Sequence, residues 1–217
     1  LYVKKEEIFD YIKMVWRSAY SDHILEDRKR NNISKTLEIP YVIVQNMISS
    51  ETAGVVFSKN PVNGENNIVI NAAFGLGSSL VNGEVSGDTY VVDLEENKII
   101  DIMTGEKEIQ HVLDSSENKG IKIEKLEEEK KTKQVLDENM IFKISLIAEK
   151  IEKEFGLPQD IEWAEENKKI YILQARPITT LSKINKNKRE IIWDNSNIVE
   201  SYSDITLPLT FSFVRSV

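Results

Sequence analysis

The stretch from Gln134 to Thr179 constrains the fold of this chain more than any other. Apolar residues at Leu136, Met140, Ile144, Ile147, Ala148 and Ile151 recur at helical spacing, which predicts a long amphipathic helix over Gln134 to Phe155. Gly156 stands where a left-handed C-terminal cap belongs, and Pro158 forbids continuation. The next residues, "QDIEWAEENKKIYILQARPIT" from Gln159 to Thr179, read as a β-hairpin. Strand patterns lie on both sides of the helix in sequence, so the expected class is α+β, a mainly antiparallel sheet packed by one long helix.

The remaining elements follow from the same signals. Ile8, Ile12, Val15, Trp16 and Ala19 give helical spacing between Lys5 and Tyr20, and a more polar helix is expected from Asp22 to Asn31. Glu38 to Ser49, "EIPYVIVQNMIS", is β-branched and contains a Pro near its start, which predicts a buried strand. Strands are also expected at Thr52–Ser58, Asn67–Phe74, Asp88–Leu94 and Lys98–Met103. "KNPVNGENN" is a turn, and "GLGSSLVNGEVSGD" interrupts the sheet with small residues. Glu106 to Thr132 is dense in both signs of charge and reads as an exposed connection with little core of its own. Leu181 to Lys188 reads as a linker, and Arg189 to Val217 as the opening of a further unit.

Charge and composition narrow the function. The formal net charge is −8, and no large basic face is available to displace counterions from a duplex; no nucleic-acid partner is expected. The Arg28-Lys29-Arg30 cluster reads as a solvated helix end. No apolar run approaches the ~20 residues of a membrane span, so no membrane partner is expected either. Cysteine is absent, which removes disulfides, thiolate metal sites and cysteine nucleophiles and fits a cytoplasmic protein. His23 and His111 are the only histidines; neither has a Ser or acid partner nearby in sequence, and ordinary surface positions are expected for both.

The hairpin carries the chemistry. Gln174 and Arg176 differ by two residues and share a face. The face of Glu162 depends on the turn. A two-residue turn at Glu166-Asn167 pairs Glu162 with Tyr171 and sends it away from Gln174. A three-residue turn over Glu166 to Lys168 pairs it with Ile172, diagonal to Gln174. In the second register one face offers a carboxylate and an amide oxygen, hard ligands for Mg²⁺, and a guanidinium fork for phosphate oxygens. That set matches an Mg²⁺–nucleotide site. The plainer reading, a solvated sheet face with a Glu162–Arg176 ion pair, stays open on pattern alone.

"QDIEWA…YILQARPIT" resembles the nucleotide-binding region of the pyruvate, phosphate dikinase and phosphoenolpyruvate synthase superfamily, which includes the rifampicin phosphotransferases. In that family a Glu is followed by Gln and then Arg at the intervals of Glu162, Gln174 and Arg176. "VIVQNMISSETAGVVFSKNPVNGENNIVINAAFGLGSSLVNGEVSGDTYVVD" is similar to a second block of the family, and "VWRSAYSDHILEDRKRNNI" to the helical segment before it. The resemblance covers roughly Val15 to Thr180. It implies an ATP-grasp-like fold, with ATP and Mg²⁺ as ligands. Glu162 and Gln174 would coordinate Mg²⁺ and phosphate, and Arg176 would stabilise the terminal phosphates during transfer. Gln45 would lie beside the adenine edge; the alternative for Gln45 is a buried amide closing a strand end. Gly75 and Gly77 of "FGLG" are expected to serve a tight turn, since the full phosphate-loop spacing is absent. Gly87 stands where the family often has Pro, which puts the rigidity of that loop in doubt.

The resemblance also implies what this stretch leaves out. An N-terminal ATP-grasp lobe with a phosphate-binding Lys and Arg, and a phosphohistidine domain, find no match here. Residues 1–182 are therefore expected to be the C-terminal part of an ATP-grasp nucleotide-binding domain, and residues 183–217 a linker with the start of the next domain. The parent enzyme would move the ATP β-phosphoryl to a His, and the isolated chain would bind nucleotide weakly and turn nothing over. The alternatives are another dikinase or a rifampicin phosphotransferase of the same superfamily, or a non-catalytic nucleotide-binding scaffold.

Overall fold

A computed structural model describes residues 3–30, 40–114, 120–179 and 181 of the 217-residue chain. A 3₁₀ turn at Lys5–Glu7 leads into α1 (Ile8–Ser18), followed by α2 (Asp22–Arg30). The central elements are β1 (Thr52–Phe57), β2 (Ile68–Phe74), α3 (Ser78–Val81), β3 (Asp88–Asp93) and β4 (Lys98–Met103). β5 (Ile109–Asp114), β6 (Gly120–Lys125), α4 (Glu128–Lys131), α5 (Glu138–Phe155), β7 (Gln159–Glu166) and β8 (Lys169–Pro177) complete the described chain. Residues 182–217, expected as linker and next domain, lie outside the described residues.

Six strands form one sheet in the order β4-β3-β2-β1-β7-β8, every neighbouring pair antiparallel. One cross-strand row runs Ile161, Val56, Ile70, Tyr90, and all four are buried. α5 covers this face with Ile141, Ile144 and Ala148, at the spacing one helical stripe requires. The adjacent row runs Gln174, Glu162, Val55, Asn71, Thr89 on the opposite face, because successive side chains alternate. The helix thus claims one side of the sheet and leaves a polar side free.

α5 ends where the sequence predicts, but it begins at Glu138 rather than Gln134. The Asp137 carboxylate accepts from the Met140 amide at 2.7 Å, an N-cap that satisfies one orphan donor of the first turn. Gly156 has φ 72° and donates to the Glu152 carbonyl at 2.8 Å, closing the C-terminus. The α+β expectation and the four central strands hold, each within a residue or two of the expected ends.

Two expectations fail. Residues 40–50 make no strand, and Tyr41, Ile43 and Val44 are exposed rather than buried. β-branched composition says which side chains suit a pleated surface; a ladder also needs a partner strand, and no described strand pairs with this segment. The second failure is Glu106 to Thr132. It holds the β5–β6 hairpin, a separate two-stranded sheet, and it buries Lys107, His111 and Leu126. Charge density hid it because two of these three buried residues, Lys107 and His111, are themselves charged or polar.

Lys107 is fully buried and ion-paired with Asp88, itself fully buried. The Asp88 carboxylate also accepts from the Gly105 amide (2.9 Å), the Tyr90 hydroxyl (3.0 Å) and the Val135 amide (2.7 Å). Tyr90 in turn accepts from the Leu136 amide at 3.1 Å. Burial, aided by the neighbouring Asp88 charge, pushes the Tyr90 hydroxyl well above the ordinary tyrosine value. One carboxylate thereby ties the start of β3 to the approach of β5 and to the residues leading into α5.

Candidate functional site

The hairpin register decides the site, and neither of the two turns considered from sequence is the one formed. Glu166 pairs with Lys169, leaving a two-residue loop at Asn167-Lys168. Both loop residues have positive φ, 53° and 63°, the backbone a tight hairpin turn demands. Acids hold it there: Glu51 accepts from the Asn167 amide at 3.1 Å, and Glu165 accepts from the Lys168 amide. Continued regularly, this pairing would set Glu162 against Leu173 and turn it away from Gln174. A bulge between Glu162 and Trp163 shifts the register, with Trp163 opposite Ile172 and Glu162 opposite Gln174. Glu162 and Gln174 therefore face each other directly across the ladder.

Arg176 lies on the same face but is held by a residue that sequence reading passed over. Asp160 pairs with Arg176 across the strands, and its carboxylate accepts from the guanidinium Nε and lies 2.9 Å from a terminal nitrogen. The Glu162–Arg176 pair of the plainer reading is not formed. The signal for Asp160 was available, since it lies two residues before Glu162 and shares its parity. The Asp160 side chain is largely buried at 14% exposure and that of Arg176 is 63% exposed, so the pair anchors the guanidinium stem while leaving donors toward solvent.

Glu162 and Gln174 open onto a cleft of about 500 Å³ on the polar side of the sheet. Gln45, Leu76, Gly77, Ser78 and Leu173 also line it. Three of the four expected site residues, Gln45, Glu162 and Gln174, thus converge on one cavity, and Arg176 stands two cross-strand pairs beyond, on the same face. Gln45 is exposed in the irregular segment of residues 40–50 and closes no strand end. A neighbouring cleft of about 520 Å³, between α1 and residues 42–47, also reaches Gln45 but holds neither Glu162 nor Gln174.

Gly75 explains why the "FGLG" turn sits at the rim. Its φ is +75°, and a Cβ there would lie 2.3 Å from the His111 carbonyl oxygen. The Leu76 amide donates to that same oxygen at 2.8 Å, which pins the turn to β5. Gly77 has φ −62° and room for a Cβ, so the structural demand for glycine falls on Gly75. His111 is no surface residue: its ring is buried between Ser78 (Nδ1 to Oγ, 2.8 Å) and Glu84 (Nε2 to Oε2, 3.1 Å). Both partners lie some thirty residues away in sequence, beyond the reach of local pattern.

The donor set suits Mg²⁺ of a particular kind of site. Among the described residues no cluster of three or more His, Asp or Glu could enclose a metal ion. One carboxylate and one amide oxygen, facing each other and hydrogen-bonded to no described residue, leave most of an octahedron for phosphate oxygens and water. That is how Mg²⁺ usually sits with a nucleotide rather than in an all-protein cage.

An antiparallel sheet, backed by one long helix and presenting these oxygens over an open cleft, is the architecture of an ATP-grasp-like lobe. Residues 1–195 match the family described as "Pyruvate phosphate dikinase, AMP/ATP-binding domain", and the chain belongs to that family. The chain is 39% identical over 188 residues to a probable phosphoenolpyruvate synthase of Archaeoglobus fulgidus, covering 87% of this chain and 25% of that protein. It is 35% identical to the phosphoenolpyruvate synthase of Pyrococcus furiosus, over 82% of this chain and 23% of the relative. It is 34% identical to the rifampicin phosphotransferase of Bacillus cereus, over 84% and 21% respectively. The chain spans about a quarter of the length of these relatives. No helix among the described residues is long and apolar enough to cross a membrane.

Proposed function

We propose that this chain forms one wall of an Mg²⁺–ATP site in a cytoplasmic phosphotransferase of the dikinase type. The observation that carries the reading is the cross-strand pairing of Glu162 with Gln174, which a bulge brings about at the mouth of the cleft. Glu162 and Gln174 would hold Mg²⁺, which when bound offsets charge on the phosphates and fixes their geometry. Arg176, oriented by Asp160, presents its remaining donors to phosphate oxygens and balances charge as transfer proceeds. Gln45 takes the adenine end. The other lobe and a phosphohistidine domain complete the enzyme, and the names of the relatives support either a phosphoenolpyruvate synthase or a rifampicin phosphotransferase as the whole.

The test is Mg²⁺-dependent binding of a non-hydrolysable ATP analogue, followed by calorimetry. Glu162→Gln is expected to weaken binding tenfold or more and to remove most of its Mg²⁺ dependence. The charged contact is worth about 1.5–3 kcal/mol. Unchanged affinity in Glu162→Gln and Arg176→Ala together would favour a non-catalytic scaffold. ATP consumption by the isolated chain should stay at background, because the phosphates need groups from both lobes.

A further inference from the structure

We infer that Ser78 is a specificity-determining residue of the cleft, fixed by His111 and Glu84 as a hydrogen-bond acceptor for the nucleoside half of the ligand. The inference rests on reading the cleft as a nucleotide site, and it adds which end of the ligand this rim receives.

The argument starts at Glu84. One carboxylate oxygen accepts from the Asn82 amide at 3.0 Å, and the other lies 3.1 Å from His111 Nε2. The Asn82 bond, with the His111 ring adding to it, holds this carboxyl below its ordinary value. An ionised carboxylate only accepts, so the proton between them belongs to His111 Nε2. In the neutral ring that leaves Nδ1 bare. A bare ring nitrogen only accepts, and its neighbour at 2.8 Å is the Ser78 hydroxyl. With the ring in that neutral form, Ser78 gives its single proton to His111.

A hydroxyl with its proton committed offers a ligand lone pairs alone. Phosphate oxygens at neutral pH are acceptors too, so Ser78 rejects the phosphate end. The nucleoside carries the matching donors, the ribose hydroxyls and the adenine amine. Ser78 lines the same cleft as Gln45, Glu162 and Gln174. The cleft is thus polarised, with metal and phosphate at the Glu162–Gln174 pair and a nucleoside donor at Ser78. The β5–β6 hairpin, through His111, sets this end of the site.

The experiment compares the full chain with its Ser78→Ala and Glu84→Gln variants by calorimetry. The probes are Mg²⁺ complexes of ATP, 2′-deoxy-ATP, 3′-deoxy-ATP and purine riboside triphosphate, which lacks the amine. One analogue should bind the unaltered chain about five- to ten-fold more weakly than ATP, the size of one neutral hydrogen bond. Which analogue it is tells a ribose hydroxyl from the amine. Ser78→Ala should lose that factor for ATP and nothing further for that analogue. Glu84→Gln keeps Ser78 but lets either ring tautomer form, so it should narrow the discrimination. Loss of affinity spread equally over all four nucleotides in Ser78→Ala, or no loss, overturns the inference, as does full discrimination in Glu84→Gln. If nucleotide still binds in a Glu162-dependent way, only Ser78's role falls. If none binds, the nucleotide reading itself falls and takes this one with it.

Discussion

The molecule contains two hairpins near its candidate site, and they are built on opposite principles. β7–β8 joins the central sheet and sends Ile161 and Trp163 into the core beneath α5. β5–β6 forms a two-stranded sheet of its own, joined to the turn after β2 by the Gly75–His111 bridge, exposes Ile121 and Ile123, and is anchored by polar groups, His111 within it and Lys107 just before it. The first hairpin holds by apolar area; the second holds by matched charges and hydrogen bonds. Apolar burial is non-directional and tolerant, whereas a buried ion or ring nitrogen is stable only with its partner in place.

That contrast can be broken most forcibly at Lys107. Lys107→Met leaves the Asp88 charge buried without its cation and should cost about 3–5 kcal/mol by denaturant unfolding. A loss below about 1 kcal/mol would mean that the β5 approach is not held by charge. A comparison within the apolar class sharpens it. Ile161→Ala, fully buried, should cost about 2–5 kcal/mol, while Ile123→Ala, 58% exposed, should stay within about 0.5 kcal/mol. Similar losses at both positions would show that β5–β6 has an apolar core after all.

An effect smaller than the losses at Lys107 and Ile161 is alkaline. Tyr90 keeps its proton in the fold to a higher pH than in the unfolded chain. Its contribution is complete below the ordinary tyrosine value of about 10, and is lost as pH rises through the folded value. Unfolding free energy measured from pH 9 to 11 should therefore fall, by on the order of 1 kcal/mol at pH 11. In Tyr90→Phe that share of the decline should vanish.

Much of the architecture was legible in the chain of residues. The α5 stripe, its glycine C-cap and the alternation in β3 are local patterns whose periods match the elements they form. Glu162, Gln174 and Arg176 were picked out by type and spacing, and three of the four expected site residues meet in one cleft. Residues 40–50 were misread because β propensity cannot supply a missing neighbour. β5–β6 was misread because a charged segment looks solvated until its partners are known, and Asp88 and Lys107 lie nineteen residues apart.

By itself the sequence determined where α5, β1 to β4 and the β7–β8 hairpin would form and which side chains carry oxygen and guanidinium groups. These follow from backbone preference and from the periods 3.6 and 2, both short-range properties. Only the tertiary structure decided that Glu162 faces Gln174, since that took a tight turn held by Glu51 and Glu165 and a bulge to restore parity. It alone set Asp160 on Arg176 and His111 between Ser78 and Glu84. Such meetings depend on register and on contacts between distant residues, and a shift of one residue would send the same side chains to the other face.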